Sequence, residues 1–150
     1  MRILVTGGAG FIGAHVAAAL QTRGDEVTVL DDFNDYYDPR LKRARVEHLL
    51  RPGTRLFETD LADAQQTTAC VAEVQPDAVI HLAAWAGVRP SRLHPSLYTT
   101  ANVVGTANIF NACVKSGVPR VVFSSSSSVY GPRAPVPSPE DAAATDTPPS

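Results

Sequence analysis

Cysteine is scarce in this 150-residue sequence, which has only Cys70 and Cys113. Each sits alone in an apolar, helix-like segment with no partner at metal-ligand spacing. The pattern points to buried, reduced thiols and away from a disulfide framework or a metal site. An excess of one charge is missing too. Thirteen basic and 15 acidic side chains leave a net charge of −2, which excludes the basic stripe of a nucleic-acid surface and the polybasic patch of a membrane-associated protein. No apolar run approaches the ~20 residues that a transmembrane helix needs. Met1 leads straight into a strand-like run with no leader pattern. The expectation is a cytoplasmic protein with neither nucleic acid nor membrane as partner. Internal repeats are also absent, while a hydrophobic content of 44% over 150 residues suffices for one domain with a real core.

What is present is an alternation of short continuous apolar runs with longer amphipathic stretches, the pattern of parallel strands covered by helices on both faces. The runs are RILVTG, EVTVLD, RLFETD, DAVIHLA and RVVFSS. Helices are expected between them over residues 12–23, 39–50, 63–73 and 95–116. Each has a stop signal: Gly24, then Pro52 with Gly53, then Pro76, and finally Gly117 with Pro119. Right-handed crossovers then give an α/β fold, a doubly wound parallel sheet of Rossmann type, with ligands expected beyond the carboxyl ends of the strands. Six of the 12 prolines follow Tyr130, so regular structure is expected to stop there.

The first run leads into ILVTGGAGFIG, with Gly7, Gly10 and Gly13 at three-residue spacing between a strand and a helix. Gly7 suits a tight turn, Gly10 lets backbone approach a pyrophosphate, and Gly13 lets the helix pack onto the sheet. Free N–H groups of that helix's first turn would receive the phosphates. The spacing is GxxGxxG rather than GxGxxG, so context carries the reading. Asp31 ends the second run at the distance, about 20 residues on, where an acid meets an adenosine ribose. A second low-complexity feature, the five serines at 124–128, reads by composition alone as a flexible linker.

Taken in order, TGGAGFIG, the Asp60-Leu61 pair, HLAAWAGV and SSSSSVYG resemble the extended short-chain dehydrogenase/reductase family of NAD-dependent epimerases and dehydratases. DDFNDYYDPRLKRARVEHL and AGVRPSRLHPSLYTTANVVGTANIF are most similar to the UDP-glucuronate 4-epimerases within it. The resemblance implies NAD as cofactor, a nucleotide sugar as substrate, a homodimer when full length, and epimerisation at C4 by transient transfer of a hydride. Alternatives are a UDP-glucose/galactose 4-epimerase or another UDP-hexose epimerase, and a catalytically silent dinucleotide-binding sensor.

Site residues transfer by resemblance one at a time. The backbone amides of Phe11 and Ile12 lie in the phosphate turn. Asp31, with Asp32 and Asn34, would hold the adenosine ribose, although a solvated loop accounts for the last two equally. Asp60 and Leu61 resemble the pair that flanks adenine, and Leu82, Ala83 and Ala84 the small residues along the dinucleotide. Asn102 matches an asparagine that steadies the strand ends near the nicotinamide half. The serine run becomes a site: Ser124 at the nicotinamide end of the strand, and Ser126 as the catalytic hydroxyl. Ser127 and Ser128 stand where related dehydratases carry an Asp-Glu pair and decarboxylases a Glu, which leaves simple epimerisation and two hydroxyls for a sugar carboxylate. Arg89 is a candidate for an anionic substrate, or a solvated surface arginine. Pro90 replaces an aromatic found in many glucuronate epimerases. His81, inside a buried strand, reads as structural, and Trp85 as wall or interface.

The family's proton acceptor is a tyrosine with a lysine four positions on. The tyrosines here give Tyr36 with Arg40, Tyr37 with Leu41, Tyr98 with Asn102 and Tyr130 with Ala134. The expectation is therefore an amino-terminal fragment. Residues 1–130 form an incomplete NAD-binding domain, and residues 131–150 a proline-rich loop toward the missing motif. The substrate lobe is absent, no activity of its own is expected, and the strand around Val121 is left as an exposed apolar edge.

Overall fold

The strands follow from pleat periodicity. In β1 (Arg2–Thr6) Ile3 and Val5 face one side and Leu4 the other, and in β2 (Glu26–Asp31) Val27 and Val29 are set against Leu30 in the same way. β3 (Arg55–Glu58), β4 (Ala78–His81) and β5 (Val121–Phe123) complete a sheet of order β3-β2-β1-β4-β5, parallel at every pairing. The computed structural model describes residues 1–131 and 135–140. Most of the expected 131–150 loop, Ala134 included, lies outside the described residues.

Each crossover carries a helix, because parallel neighbours need a long return path. α1 (Phe11–Arg23) and α2 (Pro39–Leu49) cover one face, where Ala17, Leu20 and Leu50 pack on Ile3, Val5, Val27 and Val29. On the other face α3 (Ala64–Val74) brings Cys70, Val71 and Val74 against Leu4, Leu30 and Val79. Both cysteines are free and buried, as expected, and burial pushes the Cys70 thiol up to about 12.

The stretch between β4 and β5 is more broken than the periodicity predicts. A short α4 (Val88–Leu93) comes first, then α5 (Pro95–Tyr98), a π-helical stretch (Thr99–Val104) and α6 (Gly105–Lys115), the last three running on without a break. Local widening of this kind shifts the faces of the two ends relative to each other, which hydrophobic periodicity does not signal. Among the described residues β5 is one edge of the sheet, opposite β3, and Val121, Val122 and Phe123 are all exposed, as expected of an apolar edge.

His81 is the polar member of the core. It is 1% exposed, with Nδ1 2.6 Å from the Thr6 hydroxyl and Nε2 2.9 Å from that of Thr106. Phe123 stacks on it at 5.6 Å. A neutral ring satisfies both hydroxyls, since one nitrogen donates and the other accepts; burial holds its pKa down at about 4. The structural reading of His81 therefore holds. The folded ring takes a proton less readily than the unfolded one, so its contribution is intact above about pH 6.5 and is lost as the pH falls toward 4. Urea unfolding at pH 7 and pH 4.5 should show a loss of about 2–3 kcal/mol, and His81→Gln should remove most of that slope. An unchanged slope in the variant would assign the pH dependence to other groups.

Candidate functional site

The chain turns back on itself between β1 and β4: β2 and β3 lie to one side of β1, β4 and β5 to the other. A crevice opens where such a strand order reverses. Here it is a cleft of about 360 Å³ at the carboxyl edge of the sheet.

Its floor is the glycine turn. Gly7 has φ +67°, and a Cβ on it would lie 2.7 Å from the Ala83 nitrogen. Gly13 is held tighter still, since a Cβ there would stand 2.1 Å from the Gly7 carbonyl oxygen. Neither position admits a side chain, and the close approach seats the N-terminus of α1 directly over the ends of β1 and β4. That N-terminus has no side-chain cap, although α2 and α3 are capped by Asp38 and Asp63. A cap stabilises a helix by about 1 kcal/mol. Leaving α1 without one keeps the first-turn N–H groups of Phe11, Ile12 and Gly13 available to an anion.

Asp31, at the end of β2, is buried at 5% exposure. Its carboxylate accepts N–H bonds from Ala9 at 3.1 Å and Phe33 at 2.9 Å. Phe33 sits at φ +50°, an uncommon conformation for a bulky residue. The Asp31 acceptor and burial of the Phe33 ring fix this turn. It carries Asp32 and Asn34 into the cleft wall, where Asn34 donates to Asp32 at 2.8 Å. Both residues are half-buried there.

The structure brings most of the expected residues together. Gly7, Gly10, Phe11, Ile12, Gly13, Asp31, Asp32, Asn34, Asp60, Leu61, Leu82, Ala83, Ala84 and Ser124 all line the same cleft. Asn102 does not. The π-helical stretch aims its amide at the loop after β4, where Oδ1 accepts from the Trp85 N–H at 2.8 Å and Nδ2 donates to the Trp85 carbonyl at 2.9 Å. It acts on that loop, with both of its amide atoms engaged there. Ser126, Ser127 and Ser128 are exposed, in and beside a 3₁₀ turn (Ser127–Tyr130) that the Ser126 Oγ caps by accepting from the Ser128 N–H. They and Arg89, exposed on α4, lie outside the cleft lining.

The sequence reading missed Lys42. Its side chain is 6% exposed, its ammonium lies 3.3 Å from Asp31 and 3.7 Å from Asp32, and it donates to Asn34 Oδ1 at 3.2 Å. A signal existed: Lys42, Val46 and Leu50 are spaced i, i+4, i+8, so the lysine occupies the buried face of α2, one turn ahead of two core residues. Tyr36 and Tyr37, also unassigned from sequence, join the wall with Trp85. Removing one partner of a buried ion pair leaves the other unpaired, so Lys42→Met should destabilise the protein by about 3 kcal/mol. Thermal unfolding checks this, and an unshifted Tm would show that the two acids do not need the lysine.

Three comparisons bear on the site. The model of the NAD dependent epimerase/dehydratase family matches residues 3–150. UDP-glucuronate 4-epimerase 3 of Arabidopsis thaliana is 48% identical over 136 residues, covering 90% of this chain and 32% of that protein. The UDP-glucose 4-epimerase of Stenotrophomonas maltophila, solved with bound NAD and formylated UDP-arabinopyranose, superposes with a TM-score of 0.81 at 34% identity, over 95% of this chain and 42% of its own. That of Thermus thermophilus, in complex with NAD, gives 0.74 at 38% identity over 84% and 38%. The chain thus spans about a third of the length of the curated relatives it matches. With a matching parallel fold and a family model aligned over nearly every residue, the chain belongs to the NAD-dependent epimerase/dehydratase family.

Proposed function

We propose that this chain supplies the dinucleotide half of a cytoplasmic nucleotide-sugar epimerase that works on UDP-glucuronate at C4. The observation that carries the reading is the meeting, in one cleft, of an uncapped helix N-terminus with a buried acid at the end of β2. Each suits one part of a dinucleotide: N–H groups and helix dipole for the pyrophosphate, carboxylate for the ribose hydroxyls. Gly7 and Ala83 pack so closely that a Cβ on Gly7 would meet Ala83 backbone, and both line the cleft, so its wall there offers bare main chain to a ligand. When bound, NAD supplies a reversible hydride acceptor.

The chain's own residues then divide the work. Phe11, Ile12 and Gly13 hold phosphate, Asp31 and Asp32 orient the ribose, Asp60 and Leu61 flank the base, and the backbone of residues 82–84 sets the depth of the groove. Ser124 closes its far end. On this reading Ser126 holds the reacting sugar oxygen, and Ser127 and Ser128 supply hydroxyls for a C5 carboxylate that an acidic pair would repel. Arg89 contributes a cation toward the same anionic substrate. The tyrosine that would take the proton is not among these residues, because no tyrosine here has a lysine four positions on. These 150 residues alone are accordingly expected to be inactive, and the full-length protein to act as a homodimer. Relatives named as UDP-glucuronate 4-epimerases support the substrate. The solved neighbours named as UDP-glucose 4-epimerases favour a UDP-hexose as the second reading.

Product analysis of the full-length protein with UDP-glucuronate and UDP-glucose distinguishes the two. The expected result is C4 epimerisation of the glucuronate, and conversion of UDP-glucose alone would contradict it. In the same assay Ser126→Ala should lower turnover by roughly 10²- to 10⁴-fold with substrate binding little changed. Unaltered turnover would remove Ser126 from the mechanism.

A further inference from the structure

Trp85 is the only tryptophan of the chain, and it lines the cleft where two loops meet. One is the turn after β2, the other the loop after β4; they approach from opposite sides of β1. The Tyr36 ring, from the first loop, meets the Trp85 ring edge-on with centroids 5.5 Å apart and planes at 77°. Both residues line the cleft. An apolar indole is thus held there, half-exposed, beside a markedly polar turn.

Each side of the contact is anchored. Trp85 is fixed along its backbone by both amide atoms of Asn102 and across its ring by Tyr98, 6.1 Å away at 72°. The Tyr98 hydroxyl in turn donates to the Ala86 carbonyl at 2.7 Å, which stiffens the same loop. On the other side the Tyr36 N–H donates to Asn34 Oδ1 at 3.2 Å, and Lys42 donates to that same oxygen at 3.2 Å. The Tyr36 backbone is therefore tied, through Asn34 and Lys42, to Asp31. The rings join these two braced loops, and an edge-on aromatic pair is strong enough to hold them while weak enough to open.

From this geometry we propose that Tyr36 and Trp85 form a clasp across the mouth of the cleft that retains the dinucleotide, resting on the reading of the cleft as its site. A bound dinucleotide lies beneath the pair, and its release requires the rings to part. Retention of this kind suits a cofactor that must stay in place between the two halves of a reaction it leaves unchanged. The clasp slows departure, and it leaves the Asp31 side of the site to set which dinucleotide binds.

The test is release of NADH from the preloaded full-length protein, followed by its own fluorescence during a chase with excess NAD. Tyr36→Ala and Trp85→Ala should each raise the release rate roughly two- to tenfold, the worth of one edge-on aromatic pair. Tyr36→Phe and Trp85→Phe keep the rings and should stay within about twofold of the parent. The double alanine variant should release no faster than the faster single one, because the two side chains make one contact. Tyr36 is 45% exposed, so Tyr36→Ala leaves the core intact and carries the test even where Trp85→Ala does not fold. Unchanged release in Tyr36→Ala, or single effects that multiply in the double variant, would overturn the clasp while leaving the cofactor reading intact. Failure of the parent protein to bind NADH in a direct titration would overturn both.

Discussion

The buried carboxylate of Asp31 is the joint on which the candidate site depends. It gathers the glycine turn through Ala9, its own loop through Phe33, and α2 through Lys42. A carboxylate at 5% exposure would be costly if these donors were missing. Their convergence makes the candidate site a single unit: glycine turn, buried acid and the start of α2 are fixed relative to one another by one side chain. The next strand is fastened at the same point, where the Thr59 N–H donates to the Asp31 carbonyl at 3.1 Å.

Around that joint the fold does two things. It packs the start of α1 and the end of β4 directly on the glycine turn, by excluding side chains at Gly7 and Gly13. It also leaves the N-terminus of α1, at the cleft, without a side-chain cap, while its neighbours α2 and α3 are closed by aspartates. The polar spine Thr6-His81-Thr106 serves the same end from beneath. It locks β1, β4 and α6 together directly under the crevice, and the Ala83 N–H at the cleft wall reaches the Thr6 hydroxyl at 3.4 Å.

What could be read from sequence was what local covalent rules dictate. The strands were legible because β1 and β2 are short continuous apolar runs, buried on both faces of a parallel sheet, and the glycine turn because positive φ and close approach tolerate little else. Asp31 was legible because a βαβ unit has a nearly fixed length. Lys42 was not, because a lysine on a helix reads as solvated unless its phase against Val46 and Leu50 is weighed. The π-helical stretch directs the Asn102 amide at the Trp85 loop just beyond β4, a pairing that hydrophobic periodicity does not signal. Trp85 stayed undecided for a similar reason: its partners Tyr36 and Tyr98 come from other elements, and only the folded chain brings the three rings together.

The central claim is that Asp31 organises a cleft that takes a dinucleotide with a free adenosine 2′-hydroxyl. Calorimetric titration of the full-length protein with NAD and with NADP tests it most directly. A carboxylate facing the ribose accepts its hydroxyls and repels an added phosphate, so NAD should bind at least roughly tenfold more tightly, with the preference lost in Asp31→Ala before the fold is. Equal binding of NADP, or a preference that survives Asp31→Ala, would contradict the account.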